Sequence, residues 1–306
     1  MGPPPYKQDR AMTMKQTLTA WAAVAIATAA AGIAPARAEC LSPAQVADLA
    51  QHYMDRTPAP NFPTQSVADG ACTRARFNQL LAQKLGKVVG YKAGLTNPAV
   101  QKRFSTDQPV WGKLYEGMLR PSGQAVEAAF GARPLYEADM LVRVKSAAIN
   151  HARTPMDVLD HIDQIIPFIE LPDLLVQSPP QLNGPGVAAI NVGARLGVAG
   201  EPIGIPETRG ERYALLEALE RMSVQLTNER GELLAPAGKG SDILGHPLQA
   251  VVWLAQALQK EEITLQPGDL VSLGSFSPLL PPRAGLAVTA TYLGLPGAKP
   301  VTVSFK

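Results

Sequence analysis

Leu135-Tyr136-Glu137-Ala138-Asp139-Met140-Leu141-Val142-Arg143-Val144-Lys145 alternates enough to form a strand, and Ile165-Ile166-Pro167-Phe168-Ile169-Glu170-Leu171 is a second, short apolar run. Strand geometry puts Glu137 and Asp139 on one face, two residues apart. Glu170 lies among Ile166, Phe168, Ile169 and Leu171 in the same way. A carboxylate in an apolar strand costs free energy unless it is paired or bound to a metal. Three oxygen donors from two strands suit a hard, octahedral cation such as Mg²⁺ or Mn²⁺. The alternative is that some of these acids point outward or meet Arg143 or Lys145 in ordinary ion pairs. Spacing alone does not decide between the two.

Outward from these strands the elements are short. Ser42–Met54 reads as a helix capped by Ser42, with Pro43 in its first turn and Val46, Leu49 and Tyr53 on one face. Thr73–Leu85 is a second helical run, and Val88–Thr96 begins as a strand in which Gly94 marks a close backbone approach. Asp157–Ile165 and Tyr213–Met222 are helical in pattern, and Ser223–Leu234 reads as a β-hairpin turning at Gly231. Pro247–Lys260 is a helix that buries Leu248, Val251, Val252, Leu254, Ala255 and Leu258. Asp269–Gly274, Ala287–Leu293 and Val301–Phe305 read as closing strands. Many short strands with a few helices place the chain in the α+β class, rich in β structure. The 28 prolines and 26 glycines among 306 residues argue against a long helical bundle.

The N-terminus differs from the rest. Lys15 precedes the uncharged, Ala-rich stretch Gln16–Ala36, and Pro35-Ala36-Arg37-Ala38 closes it. This is the pattern of a secretory signal peptide cleaved after Ala38, in preference to a retained membrane anchor. Met14 suits the start of such a peptide better than Met1. The chain therefore divides into an N-terminal extension and signal peptide, 1–38, and one domain, 39–306, of which 39–88 is helical. The expected location is periplasmic or secreted, with no membrane attachment after cleavage. In an oxidising compartment Cys40 and Cys72 are expected to form one disulfide.

Formal charge is +2, from 28 Lys and Arg against 26 Asp and Glu. Four of those basic residues and one acid lie in 1–38, which leaves 24 against 25 in the domain. A near-neutral domain lacks the basic footprint of a nucleic-acid binder. No H-E-x-x-H, C-x-x-C, G-x-S-x-G or G-x-G-x-x-G occurs, so zinc-protease, redox, nucleophile-elbow and dinucleotide readings lose their main support. Gly238-Lys239-Gly240-Ser241 runs into a helix without phosphate-loop spacing, and His246 before Pro247 reads as capping or structural. Lys92, in Val88-Val89-Gly90-Tyr91-Lys92-Ala93-Gly94, is either a solvated lysine near a turn or a group that binds a carboxylate or polarises a carbonyl.

Taken together, these segments resemble the 2-keto-4-pentenoate hydratase family of the fumarylacetoacetate hydrolase superfamily. The segments that carry the resemblance run in the family's order. They begin with Val89–Thr96, then Val100-Gln101 through Asp107-Gln108-Pro109 to Gly112, Tyr136–Asp139 and Pro167–Glu170. They continue through Gly238–Ser241 with Leu244–Pro247, Trp253-Leu254-Ala255, and Pro267-Gly268-Asp269 leading to Gly274-Ser275. The resemblance implies a β-rich mixed roll with flanking helices, often as a homo-oligomer. It implies a divalent metal, Mg²⁺ or Mn²⁺, on Glu137, Asp139 and Glu170. It places Lys92 and Asn191 in catalysis, and Lys92, Asp107 and Ser275 against the substrate. The implied partner is a small 2-ketoacid or its dienol, of the kind met in aromatic catabolism, and the implied activity is a hydro-lyase reaction on 2-hydroxydienoates.

Four features depart from the family. Asp139 stands where Glu is usual, and Ile190-Asn191-Val192-Gly193 replaces a polar Asp-Asn-x-Ser. Pro172-Asp173-Leu174-Leu175 replaces a Ser-Arg stretch, and a signal peptide is unexpected for such an enzyme. The alternatives to a hydratase are an exported binding or repurposed member without hydration activity, and a 4-oxalocrotonate-type decarboxylase.

Overall fold

The computed structural model describes residues 1–2, 39–64 and 66–306, and the stretch expected to be a signal peptide lies outside them. Residues Ala38–Lys306 make up one compact unit. Among the described residues no helix is long and apolar enough to cross a membrane. The helices are α1 (Pro43–Asp55), α2 (Val67–Leu85), α3 (Pro98–Arg103), α4 (Pro155–Asp160), α5 (Gly184–Ala189), α6 (Arg209–Arg221) and α7 (Gln249–Gln259). The strands begin with β1 (Val88–Gly94), β2 (Val110–Tyr115), β3 (Leu119–Pro121), β4 (Ala125–Val126), β5 (Glu137–Val144), β6 (Ile162–Leu171) and β7 (Leu196–Ala199). They continue with β8 (Ile203–Gly204), β9 (Ser223–Thr227), β10 (Gly238–Lys239), β11 (Leu270–Ser272), β12 (Ala287–Leu293) and β13 (Val301–Phe305).

Local chemistry explains where the helices start. Ser42 caps α1 through a reciprocal pair: its hydroxyl accepts the Gln45 N–H while the Gln45 side chain accepts the Ser42 N–H. α2 begins at Val67, not at Thr73, because Ser66 and Asp69 form the same reciprocal cap. Gly70 therefore lies in the helix, where any Cβ would strike the Pro185 main chain. The span 157–165 is divided: α4 stops at Asp160 and β6 opens at Ile162. Val158, Leu159 and Ile162 satisfy helical spacing, yet all three pack into one core from two different elements. Asp163, across the ladder, takes both guanidinium bonds of Arg143 at 2.8 Å.

Eight strands form the main sheet, in the order β2-β1-β11-β5-β6-β7-β3 with β8 also paired to β6. Five more, β10-β9-β12-β13-β4, form a second sheet. Pro167 is tolerated inside β6 because the outer partner changes there, from β8 at Gln164–Ile165 to β7 at Phe168–Leu171. One face of the large sheet buries Leu141, Ile166 and Phe168 with residues of α1, α2 and α5. The other buries Met140, Val142, Ile165 and Ile169 with the second sheet, α6 and α7. This is the expected α+β, β-rich mixed roll with flanking helices.

Between α5 and β7 the chain makes a left-handed turn in which Asn191, Val192 and Gly193 have φ of 55°, 55° and 64°. For a β-branched valine that conformation costs of order 1–3 kcal/mol. The Asn191 amide holds it: its oxygen accepts the Lys113 N–H (2.7 Å) and Asn78 Nδ2 (3.0 Å), and its nitrogen donates to the Lys113 carbonyl (2.9 Å). Tyr115 in turn donates to Asn78. Gly94 and Gly112 leave the turn room, since a Cβ at either would meet Val192 or Asn191.

Cys40 and Cys72 are joined as expected, with Cα atoms 5.4 Å apart and a sequence separation of 32. The bond ties the chain before α1 to the middle of α2. Closing a loop of that length is worth roughly 3–4 kcal/mol in the chain-entropy model. Cys72→Ser should lower Tm by about 6–12 °C for a unit of this size; an unchanged melting curve under non-reducing conditions would count against it. Asn191→Ala leaves buried donors and an acceptor unpaired, and should cost ~3 kcal/mol in urea unfolding. A loss below about 0.5 kcal/mol would mean that the turn holds its shape without the amide.

Candidate active site

Strand register brings the site together. Lys92 of β1 lies opposite Ser272 of β11, and Ser272 lies opposite Leu141 of β5. Asp139 and Glu137 follow Leu141 at steps of two along β5, and Glu137 faces Glu170 of β6. Directly opposed residues share a face, so one lysine, one serine and three carboxylates stand on the helix-covered side of the sheet. Lys92 and Glu170 are each 3 % exposed and Asp139 is fully buried.

A cavity of about 400 Å³ opens over this face. Lys92, Glu137 and Glu170 form its buried end, and Leu174, Val187 and Val192 line its apolar wall. The Lys92 ammonium forms an ion pair with Glu170 and donates to the Val192 carbonyl at 3.0 Å. The strained turn thus supplies the second partner of the buried lysine. Burial raises the Glu137 pKa well above the usual carboxylate range, and the neighbouring Glu170 charge adds to the effect. Asp139 is pushed up to about 8 by burial and by Glu170, against the hydrogen bonds it receives from Ser272 and Met140.

The expected site residues do not all meet. Glu137, Glu170, Lys92 and Ser275 border the cavity. Asp139 stands behind it, and its carboxylate is occupied by the protein. Oδ1 accepts the N–H groups of Met140 (2.5 Å), Leu273 (3.2 Å) and Gly274 (3.0 Å), and Oδ2 accepts the Ser272 hydroxyl (2.5 Å). Its short side chain ends in this nest of donors, where it fixes the turn after β11. Asn191 is likewise a structural clamp and does not line the cavity, because its amide is used up on Lys113 and Asn78. Asp107, expected against the substrate, is exposed and is not among the residues that line the cavity. Ser275 exchanges hydrogen bonds with Ser277 on the cavity wall. His246 is structural: Nδ1 accepts the Leu248 N–H and Nε2 meets the Leu216 carbonyl. Ser272 and Arg103 were not foreseen. A serine inside the apolar run Leu270–Leu273 is the available sign of the first, and Arg103, the last residue of α3, has none.

The donor set suits a hard divalent cation in chemistry and in charge. Three buried carboxylates face one ammonium, so the cluster lacks positive charge; burial first, and the neighbouring Glu170 charge second, raise the pKa of Glu137 and Asp139. Of the three carboxylates, Glu137 and Glu170 line the cavity and Asp139 does not. Among the described residues no three His, Cys, Asp or Glu side chains are grouped to hold a metal ion as they stand. The fit is therefore with a cation held through two carboxylates, a number that Mg²⁺ commonly accepts.

No family model matches the chain. It is 29 % identical over 210 residues to a 2-keto-4-pentenoate hydratase of Burkholderia vietnamiensis, covering 68 % of this chain and 76 % of that protein. It is 27 % identical over 199 residues to 2-keto-4-pentenoate hydratase 1 of Dechloromonas aromatica, covering 65 % and 72 %. Its fold matches that of 4-oxalocrotonate decarboxylase from Pseudomonas putida G7, solved with magnesium and adipate. The TM-score is 0.73 at 24 % identity, over 88 % of this chain and all of that one. In the order of its motifs and in sequence the chain is similar to 2-keto-4-pentenoate hydratases, and it shares the fold of 4-oxalocrotonate decarboxylase.

Proposed function

We propose that the protein is a metal-dependent hydro-lyase acting on a small 2-hydroxydienoate, such as 2-hydroxypenta-2,4-dienoate, and its 2-oxo tautomer. The observation that carries this reading is the opposition of Glu137 and Glu170 across β5 and β6, with the Lys92 ammonium beside them at the buried end of one cavity. Glu137 and Glu170 would hold a divalent cation, Mg²⁺ or Mn²⁺, which supplies Lewis-acid stabilisation of negative charge on substrate oxygens. Asp139 supports them from its nest as part of the ground on which Glu137 stands.

Lys92 is placed to complement charge at the substrate's C2 oxygen, and its tie to Val192 keeps the ammonium at that depth. In the reaction the dienol loses its O2 proton and gains one at C5, giving the 2-oxo-3-enoate. The hydroxyl of water then bonds to C4, and a proton goes to C3. The apolar wall of Leu174, Val187 and Val192 limits water to what the chemistry uses. The side chain at position 190 is isoleucine, so the turn provides no carboxylate to move protons.

Export to the periplasm or outside the cell is also part of the proposal. The Cys40–Cys72 disulfide supports it, because such bonds persist in oxidising compartments. Assembly into homo-oligomers follows from the family likeness alone.

Two measurements test the reading. Mg²⁺ or Mn²⁺ at 100 times its Kd should stabilise the mature protein by about 2.7 kcal/mol. Glu137→Gln and Glu170→Gln should abolish that stabilisation, whereas Asp139→Asn, which keeps an acceptor for the backbone donors, should retain it. Equal loss in all three variants would restore the three-ligand arrangement. With metal present, the protein should consume 2-hydroxypenta-2,4-dienoate, followed as loss of dienol absorbance, and Lys92→Ala should lower kcat at least 100-fold. Metal binding without turnover would leave a binding protein in place of the hydratase.

A further inference from the structure

Tyr292 sends a hydroxyl from the second sheet into the strand pair that carries the carboxylates. Along β12 the residues alternate, and Val288, Ala290 and Tyr292 are the buried ones. The Tyr292 ring stands edge-on to Phe276 with centroids 6.3 Å apart, and Phe276 borders the cavity. The Tyr292 hydroxyl accepts the Phe168 N–H at 3.1 Å and donates toward the Phe168 carbonyl (2.9 Å) and the Asp139 carbonyl. Asp139 and Phe168 face each other across β5 and β6. Two residues further along, on the same face of the sheet, Glu137 and Glu170 face each other. The phenol oxygen therefore stands at the rung next to the two cavity carboxylates.

Filling space does not require a tyrosine here. Phenylalanine presents the same ring and takes no hydroxyl out of water, which costs free energy unless the group is hydrogen-bonded. What the hydroxyl adds is a third party between two facing residues. In an antiparallel ladder every second facing pair exchanges N–H···O=C bonds directly. At this rung the Phe168 N–H and the Asp139 carbonyl both bond to one phenol oxygen, which governs how far β5 stands from β6.

We propose that Tyr292 is a positioning residue: its hydroxyl sets the spacing of Glu137 and Glu170, and through it the size of cation that the pair accepts. This rests on the proposed function, in which those two carboxylates hold the metal. Without the hydroxyl, the Phe168 N–H and the Asp139 carbonyl are left to pair with each other, and the carboxylates of the next rung move with their strands. Mg²⁺ demands near-ideal octahedral geometry at about 2.0–2.1 Å, whereas Ca²⁺ takes oxygens at about 2.3–2.6 Å in flexible arrangements. The smaller ion therefore feels the shift more. Tyr292 touches neither metal nor substrate and takes no part in bond making.

The test titrates Mg²⁺ and Ca²⁺ calorimetrically into the mature protein and into Tyr292→Phe, which keeps the ring against Phe276 and removes only the hydroxyl. Mg²⁺ affinity should fall at least tenfold in the variant, and Ca²⁺ affinity by less than about threefold. Val288→Ala, which loosens the same face of β12 without touching a polar group, should leave the ratio of the two affinities unchanged. Equal losses for both ions in Tyr292→Phe, no loss for either, or the same change of ratio in Val288→Ala would overturn the assignment while leaving the proposed function standing. An unmodified protein that binds neither ion would overturn both.

Discussion

The structure is organised around a buried imbalance of charge. Glu137, Asp139 and Glu170 share one face of the large sheet with a single ammonium, Lys92, and all four are screened from water. Buried charges are tolerated only where partners are built for them, and the surrounding fold can be read as those partners. The β5–β6 register sets Glu137 against Glu170. The turn after β11 gives Asp139 two backbone N–H groups, and Ser272 gives it a hydroxyl. What remains unmatched is on the cavity side, where a cation or a substrate can enter. A protein with no use for that face could fill it with apolar side chains at no cost in stability.

Strain is concentrated on the same face. Asn191 and Val192 adopt a left-handed conformation that non-glycine residues seldom take, and Val192 does so with a branched Cβ. The result is one carbonyl aimed at the lysine. The turn is over-determined by Asn78, Lys113, Tyr115 and the two glycines that leave it room, which is the condition under which strained backbone persists. Ile190-Asn191-Val192-Gly193 therefore brings to the turn no ionisable side chain, only the amide that holds its shape.

How much of this was legible in the sequence depends on the range of the interaction. Caps and strand alternation are local, so α1, α7, β5 and the closing strands are readable from a few residues. The carboxylates were legible for the same reason: charges in apolar strands contradict their neighbours. Where the reading went astray, a distant partner decided. α2 starts early because Asp69 and Ser66 cap each other, and the 157–165 span divides because Ile162 pairs across the sheet with Val144. Asn191 was placed in catalysis by its motif, yet its environment is set by Asn78, 113 residues away in sequence. Asp139 was grouped with Glu137 by alternation, which is correct for the face and silent on the donors that β11 brings to it.

An aspartate at 139, where the family resemblance implies a glutamate, acquires a physical meaning from this. A side chain shorter by one methylene sits back among the backbone N–H groups of Leu273 and Gly274. In that position it braces the segment from Gly274 to Ser277, which forms a wall of the cavity. Gly274 takes φ of 106° there, and any side chain on it would run into Thr96. The wall is thus fixed from behind by a carboxylate and from the side by close packing. Fixing the wall fixes the width of the space between Lys92 and the cavity mouth. Asp139 therefore presents no oxygen among the cavity lining and instead lends rigidity to the wall that shapes the site. The bracing carboxylate of Asp139 thus serves the same cavity whose buried end Lys92, Glu137 and Glu170 form.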